Sequence, residues 1–438
     1  MKRPALIVCL LVLSIVVIHT SQAQHISGFD KARCNSMLSE IQNDVRKHYY
    51  DPKFHGLDWS AEVSAAKEKI DSSPSLNMGM SHIAGLLDKL NDSHTFFVPP
   101  PRPYTHDFGF AYQMLGDHCF ITHIRPGSDA NKKGVSPGDE VLLINGYAPT
   151  RENIWKMFYV YELLRPQPSL TLELENPMGY HKKLVVDAWE ERLPSIQYID
   201  DYYWDLVRQS VKNRQTAPKP LVAINSDAAV YKYAAFAVAD ESSVDQILDQ
   251  LAHYKAVILD LRGNGGGSVE TLKWMLGGFF PDPIKIADRV TRNESDRAPM
   301  ITKPNKKHYI SASLVVLIDS DSASAAEIFA RTIQLQKRGK VLGDVSSGSV
   351  MESRRFQYKS GVDIATFYGA SITEADVLMP DGKSLEHVGV KPDIVVYPTG
   401  EDISLGNDPT LARAAELCGV TLTPKQAGEL YPNSWMTH

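Results

Sequence analysis

The sequence predicts an α/β fold: a mostly parallel, crossover-connected sheet, preceded by a helical part and a β-rich insertion. Three observations carry this. From Leu221 onward, strand-like and helix-like stretches alternate, as in strand–helix–strand units. Two short runs, Ala256–Leu259 and Ser313–Ile318, are almost continuously apolar, the pattern of strands buried on both faces. Each run opens into small residues followed by a helical pattern. The first gives Asp260-Leu-Arg-Gly-Asn-Gly-Gly-Gly267, the second Asp319-Ser-Asp-Ser-Ala-Ser-Ala-Ala326. In sheets of this kind, functional loops gather at the carboxyl ends of the strands.

The elements follow in order. Lys2 and Arg3 precede an apolar run from Ala5 to Ile18, and Ser21-Gln22-Ala23 supplies small residues before a cut ahead of Gln24. Residues 1–23 therefore read as a secretory leader, which places the mature chain outside the cytosol, secreted or periplasmic. The run is short for a membrane span. Residues 24–104 read as helical: Met37, Ile41, Val45 and Tyr49 share one face, and Ile83, Leu86, Leu87 and Leu90 repeat the pattern. Phe96–Val98 reads as a short strand, and Pro99, Pro100, Pro101 and Pro103 form a stiff boundary. Residues 105–192 change to short strands and turns, with Cys119–Ile124 strand-like. In the core, 193–400, strands are expected at Ala228–Phe236, Ala256–Leu259 and Ser313–Ile318. Helices are expected at Ser243–His253, at Val269–Leu276 and after Ala326. Residues 401–438 form a tail with a short helical pattern at Leu411–Leu417.

Composition narrows the function class. The 438 residues are 43% hydrophobic and 22% charged, an ordinary globular balance with room for two or three cores. A net charge of −6 gives a nucleic-acid partner no electrostatic support. After the leader, no segment is apolar enough to cross a bilayer. Cys34, Cys119 and Cys418 are widely spaced and present no disulfide framework or metal spacing, so neither metal nor cofactor is expected. Oligomeric state is not encoded in any pattern here.

The two strand-end loops are where chemistry is expected. Serine at a strand-to-helix turn either caps the helix or acts as a nucleophile beside the first helical N–H groups. The residues themselves leave both readings open for Ser322 and Ser324. The glycine run matches neither G-x-G-x-x-G nor a Walker sequence, so it is not a nucleotide cradle. Its glycines provide either a tight turn or backbone N–H groups aimed into a cavity, one half of an oxyanion hole.

In the insertion, Pro126-Gly-Ser-Asp-Ala-Asn-Lys-Lys-Gly134-Val-Ser-Pro-Gly138-Asp-Glu-Val-Leu-Leu-Ile-Asn145-Gly146 resembles a PDZ domain of the circularly permuted kind found in bacterial proteases. That resemblance implies capture of a peptide C-terminus as an added strand, its carboxylate held by the Phe108-Gly109-Phe110 loop. With it come Asp260–Gly267, Ser322-Ala-Ser-Ala-Ala-Glu-Ile328, Gly343-Asp-Val-Ser-Ser-Gly348 and Pro380–Val396, in that order. Together they resemble the carboxyl-terminal-processing, or tail-specific, serine protease family over roughly residues 80–396. The resemblance implies an endopeptidase acting on polypeptides, with Ser324 as nucleophile and Ala325 and either Gly266 or Gly267 as oxyanion donors.

One departure stands out. Many members place a lysine base just after the glycine of the Gly-x-x-Ser/Thr-x-Gly segment, where this chain has Ser349. Lys337 and Lys340 are near in sequence but in a polar turn. The tricorn-like branch uses histidine instead, which here resembles His94, with Glu386 as the late acid and Ser93 as a hydrogen-bond bridge. His387 is a rival imidazole, and Glu327 reads as a first-turn helix acid. A catalytically inactive peptide-binding protein on the same scaffold is the alternative that the missing lysine raises.

Overall fold

The computed structural model describes residues 27–192, 220–237, 240–360 and 366–431; the leader expected at 1–23 lies outside them. Three helices come first: α1 (Gly28–His48), α2 (Trp59–Asp71) and α3 (Leu76–Asp88). Each starts where a side-chain oxygen accepts from an orphan N–H of the first turn: Ser27 from Asp30, Asp58 from Ala61 and Ser75 from Met78. The face of α1 carrying Met37, Leu38, Ile41 and Val45 is buried, as its periodicity requires.

Strands β1 (Phe96–Val98), β2 (Tyr104–Asp107), β3 (Phe110–Leu115) and β4 (His118–Ile124) follow, then a helical turn, α4 (Asp129–Lys132), and β5 (Glu140–Ile144). A short helix α5 (Ile154–Phe158) continues as a π-helical turn to Leu164. The insertion then closes with β6 (Ser169–Glu175), β7 (His181–Asp187) and β8 (Trp189–Arg192). Strands β3 to β7 make a five-stranded antiparallel sheet in sequence order, with its own buried cluster around Phe110, Ile121, Ile144 and Leu172. β2 and β8 pair antiparallel where the chain enters and leaves.

The core begins with β9 (Leu221–Ala223) and β10 (Ala228–Lys232). It continues through α6 (Glu241–Ala252), β11 (Ala256–Asp260), α7 (Val269–Gly277), β12 (Lys285–Thr291), β13 (Met300–Ile301), β14 (Ser313–Ile318) and α8 (Ala325–Leu335). Then come β15 (Lys340–Gly343), β16 (Met351–Ser360), β17 (Thr366–Leu378), β18 (Ile394–Val395) and the tail helices α9 (Gly400–Leu405), α10 (Pro409–Leu417) and α11 (Pro424–Leu430). A six-stranded sheet runs β18-β15-β14-β11-β10-β9, parallel throughout except for β9. Alternate residues serve opposite faces, which is why the strands are apolar without interruption. Leu314, Val316 and Ile318 pack under α6, α7 and α8, while Val315 and Leu317 pack against Leu411, Ala414 and Ala415 of α10. The tail is therefore the second cover of the sheet.

Two expectations are corrected. The strand expected at Ala228–Phe236 ends at Lys232, because its neighbour β11 turns away at Asp260; Phe236 instead bridges to Gly267 of the glycine run. A second, antiparallel sheet, β1-β17-β12-β13 with β16 on β17, was not anticipated. Its two long strands lack an apolar run: β16 is partly exposed, and largely buried β17 interleaves Ser371, Thr373, Glu374 and Asp376 with apolar residues. β1 and β17 carry the segments before and after them toward the core sheet's carboxyl edge. The three cysteines among the described residues are free and lie in separate regions: Cys34 in α1, Cys119 in β4 and Cys418 after α10.

Gly343 closes β15 beside the end of β14, with φ +125 and only 1.9 Å between an added Cβ and the Ile318 carbonyl oxygen. Strain and overlap coincide, so Gly343→Ala should lose roughly 2–4 kcal/mol of stability, read from the urea midpoint. A shift below about 0.5 kcal/mol would show that this strand end is free to move.

Candidate active site

The carboxyl ends of β11 and β14 bring the glycine run and the serine stretch together. Ser322 is fully buried; its hydroxyl donates to the Leu261 carbonyl (2.8 Å) and accepts from the Asp319 N–H (3.0 Å). It is a strut between the two loops. Ser324 differs: it is half-buried at the N-cap of α8, with φ 54 and ψ −117. That backbone is costly for a residue with a Cβ, of order 1–3 kcal/mol, and persists only where surroundings hold it. The Ser324 N–H is held by the Ser349 carbonyl (2.9 Å) and by Glu327 Oε2 (2.9 Å).

Glu327 does more than face the helix N-terminus. It is completely buried, and its carboxylate accepts from the Ser324, Gly348 and Ser349 N–H groups (2.9, 2.8 and 2.9 Å) and the Ser346 hydroxyl (2.6 Å). Burial pushes its carboxyl up to about 7; the four donors oppose this without cancelling it. The Ser346 oxygen also accepts from the Val390 N–H (2.6 Å). The signal for Glu327 in the sequence was its place three residues after a serine, which is equally the mark of an ordinary capping box.

Gly266 lies against the serine: a Cβ there would sit 2.6 Å from Ser324 Cβ and 3.0 Å from the Ala325 nitrogen, at φ +93. Its N–H is already engaged by the Asn264 side-chain oxygen (2.9 Å). Gly267, exposed and with φ +140, meets no acceptor through its N–H among the described residues, and neither does Ala325 at the start of α8. Buried Asn264 sets this arrangement, since its side chain also donates to the Tyr233 carbonyl (2.7 Å) and its carbonyl accepts from the Ala323 N–H (2.9 Å).

The turn before β1 brings in the third part. Asp92 Oδ1 accepts from the His94 and Thr95 N–H groups (2.9 and 2.7 Å) and from the Thr373 hydroxyl (2.6 Å), fixing the turn to β17. His94 is buried, with Nδ1 2.8 Å from Ser93 Oγ. Ser93 Oγ donates to Glu386 Oε2 (2.9 Å), and the Ser93 N–H donates to Oε1 (2.7 Å). Burial raises the Glu386 carboxyl, against the Ser93 and Val350 N–H groups, the Ser93 hydroxyl and nearby His387. A serine hydroxyl has one proton. When it goes to the carboxylate, Nδ1 must be the donor in the histidine contact, and the ring's basic lone pair is on Nε2.

One loop joins these parts. Ser349 accepts from the Ser324 N–H and donates to Glu327, and the next residue, Val350, donates to Glu386 Oε2 (2.7 Å). His387 Nε2 is spent on the Asn91 carbonyl (2.8 Å). Exposed Lys337 lies past the far end of α8, roughly 20 Å from Ser324 at 1.5 Å per residue. Exposed Lys340 opens β15 opposite Val315, at the end of the strand remote from Gly343. In the insertion, the Gly109 N–H donates to Asp107 Oδ1 (2.7 Å), and Phe108 and Phe110 are buried.

Residues 227–396 match the family model described as Peptidase family S41. The tail-specific protease of Haemophilus influenzae is 24% identical over 328 residues, covering 69% of this chain and 43% of that protein. The chain thus spans under half the length of that relative. The chloroplastic C-terminal processing peptidase of Tetradesmus obliquus is 23% identical over 390 residues, covering 83% of this chain and 77% of its own. Mature CPAF shares the fold, with a TM-score of 0.64 at 15% identity over 86% of this chain and 94% of that one. So does the photosystem II D1 C-terminal processing protease, at 0.52 and 17% identity over 90% and 99%. Over residues 227–396 the α/β core of this chain is thus similar to Peptidase family S41, and over most of its length the chain is similar to C-terminal processing peptidases.

Proposed function

We propose that the chain is an exported endopeptidase that hydrolyses peptide bonds through an acyl-enzyme on Ser324, with His94 as base. The observation that carries this reading is the relay from His94 through Ser93 to Glu386, tied by Val350 and Ser349 to the Ser324 backbone. Ser324 Oγ attacks the substrate carbonyl carbon while its proton passes to His94 Nε2. The Ala325 and Gly267 N–H groups receive the oxyanion; Gly266, with its N–H on Asn264, shapes the hole instead. As the C–N bond breaks, the imidazolium returns its proton to the leaving amine. Water then attacks the ester by the same route, releasing the acid and regenerating the serine. Ser93 passes the stabilising charge of Glu386 to the imidazolium and keeps the productive tautomer.

The leader at 1–23 supports export. The inserted region, 105–192, is assigned as a PDZ-like module that receives substrate C-termini, between a helical part at 24–104 and a catalytic core at 193–400. Carboxylate capture at Phe108-Gly109-Phe110 requires the Gly109 N–H to exchange Asp107 for the ligand.

Ser324→Ala should abolish turnover of a denatured protein and labelling by a fluorophosphonate, with folding unchanged. His94→Ala should lower kcat by roughly 10³-fold or more, while Lys337→Ala and Lys340→Ala stay within about two-fold of the parent. A lysine variant that is dead, or a His94 variant that is active, removes histidine as the base.

Glu327 generates a separate expectation. Its folded pKa lies above the ordinary carboxylate value, so the native state holds the extra proton. The contribution is full below about 4.5 and is lost as pH rises through about 7. Glu327→Gln should remove that slope from urea denaturation measured between pH 5 and 8. It should cost about 1–3 kcal/mol, because an amide has one acceptor oxygen and its NH2 must then face N–H donors, either the Ser324 and Ser349 pair or Gly348. Glu327→Ala, which leaves several buried N–H groups unmet, should cost more, at least about 3 kcal/mol. A reversed order would show that the carboxylate does not brace the loop.

A further inference from the structure

The tail beyond the family match reaches back to the root of the glycine run. Arg262, the residue before Gly263, is forked between two carboxylates. Its Nε and Nη2 donate to Asp260 (3.0 and 2.8 Å), and its Nη1 and Nη2 donate to Asp408 (3.0 and 2.8 Å). Lys232 completes the cluster, 3.4 Å from Asp260 Oδ2 and 2.8 Å from the Arg262 carbonyl. Two cations thus balance two anions where Asp260 is buried. Burial alone would raise the Asp260 carboxyl, but Arg262 and Lys232 outweigh it and hold it at about 2. Asp408 also caps α10 through the Leu411 N–H (2.8 Å), so its carboxylate stands between the guanidinium and the positive end of that helix.

From Arg262 the connection to the site is short. The Gly263 N–H is held by Asp319 Oδ1 (2.9 Å), and the Asn264 N–H by the Leu261 carbonyl (3.0 Å). Asn264 in turn holds the Gly266 N–H and the Ala323 N–H, the two backbones that flank Ser324. A guanidinium gripped on both edges has one orientation, and the peptide it anchors has one position.

We propose that Asp408 is a positioning residue for the oxyanion loop: through Arg262, the tail helix α10 holds the glycine run in register with Ser324. The proposal rests on the acyl-enzyme reading of the site. Losing the Asp408 charge leaves Asp260 facing two cations and Arg262 facing the helix end, and the loop's root loses one of its two grips. Substrate contacts are untouched, so the loss falls on the transition state.

The test compares Asp408→Asn and Asp408→Ser, which keep a capping oxygen and remove the charge, with Leu411→Ala, which weakens α10 through its apolar face alone. Turnover of one peptide by the full chain is followed at a temperature below every variant's melting transition. Loss of turnover in Ser324→Ala establishes the reading of the site, so the Asp408 result bears on the loop alone. The expected result is a five- to fifty-fold fall in kcat with KM within two-fold for the Asp408 variants. Leu411→Ala should keep kcat within two-fold despite an equal or larger drop in Tm. Asp408 variants with kcat within two-fold of the parent overturn the proposal. So does a kcat loss that tracks Tm alike in all three.

Discussion

The site depends on one loop, Asp344–Val350, clasped between the buried carboxylate of Glu327 and the largely buried one of Glu386. Glu327 takes the Gly348 and Ser349 N–H groups and the Ser346 hydroxyl; Glu386 takes the Val350 N–H. Neither carboxylate has a lysine or arginine partner among the described residues, so what opposes burial is hydrogen bonding, led by the Ser346 hydroxyl at Glu327 and by the Ser93 and Val350 N–H groups at Glu386. For Glu327 the donors lose to desolvation, and its carboxyl sits at about 7. The arrangement is specific because an N–H donor has a direction, and three of them converging with the Ser346 hydroxyl on one group admit one backbone path. That path carries the Ser349 carbonyl to the Ser324 N–H and holds a serine in a backbone it would otherwise avoid.

The same clasp shows what Ser349 does at the position where a lysine is absent. Ser349 has no side chain able to serve as base, but its peptide is needed on both sides. Its N–H feeds Glu327, and its carbonyl receives Ser324. The acid, the bridge and the imidazole come from outside the parallel sheet. Ser93 and His94 precede β1, and Glu386 follows β17, on which β1 pairs. The second sheet is thus the frame that delivers the relay to the edge of the first.

The parallel strands were legible because burial on both faces leaves no polar alternation: β11 and β14 fall within a residue of their apolar runs. The long helices were legible from their periodicity, whereas the short tail helices α9 and α11 were not. β16 and β17 were not: Met351–Ser360 is partly exposed and has no clean apolar face, and largely buried Thr366–Leu378 carries Ser371, Thr373, Glu374 and Asp376 among its apolar residues. In the site, Ser93, His94, Ser324 and Glu386 could be singled out because each sits in a short motif. Glu327, Asn264 and Asp408 could not be weighed, because a buried carboxylate and a solvent-facing helix cap have the same local sequence. Only the fold decides which donors surround them.

Two aspartates extend the dependence to the inserted sheet. Asp319 ends β14 with one oxygen on the Gly263 and Asp321 N–H groups and the other on the Gln113 amide of β3. Asp344 follows β15 with one oxygen on the Val345 N–H and the other shared by the Gly116 N–H and Arg151. Ser320 adds a bond to the Met114 carbonyl, and Gly138 packs on the Gly400 carbonyl of α9. Each aspartate therefore divides its carboxylate between the root of a site loop and the seat of the insertion. A carboxylate held from both sides cannot rotate toward one without weakening the other. The seat of the inserted sheet and the roots of the glycine run and the clasped loop form one hydrogen-bonded unit, and the geometry around Ser324 is set by all three together.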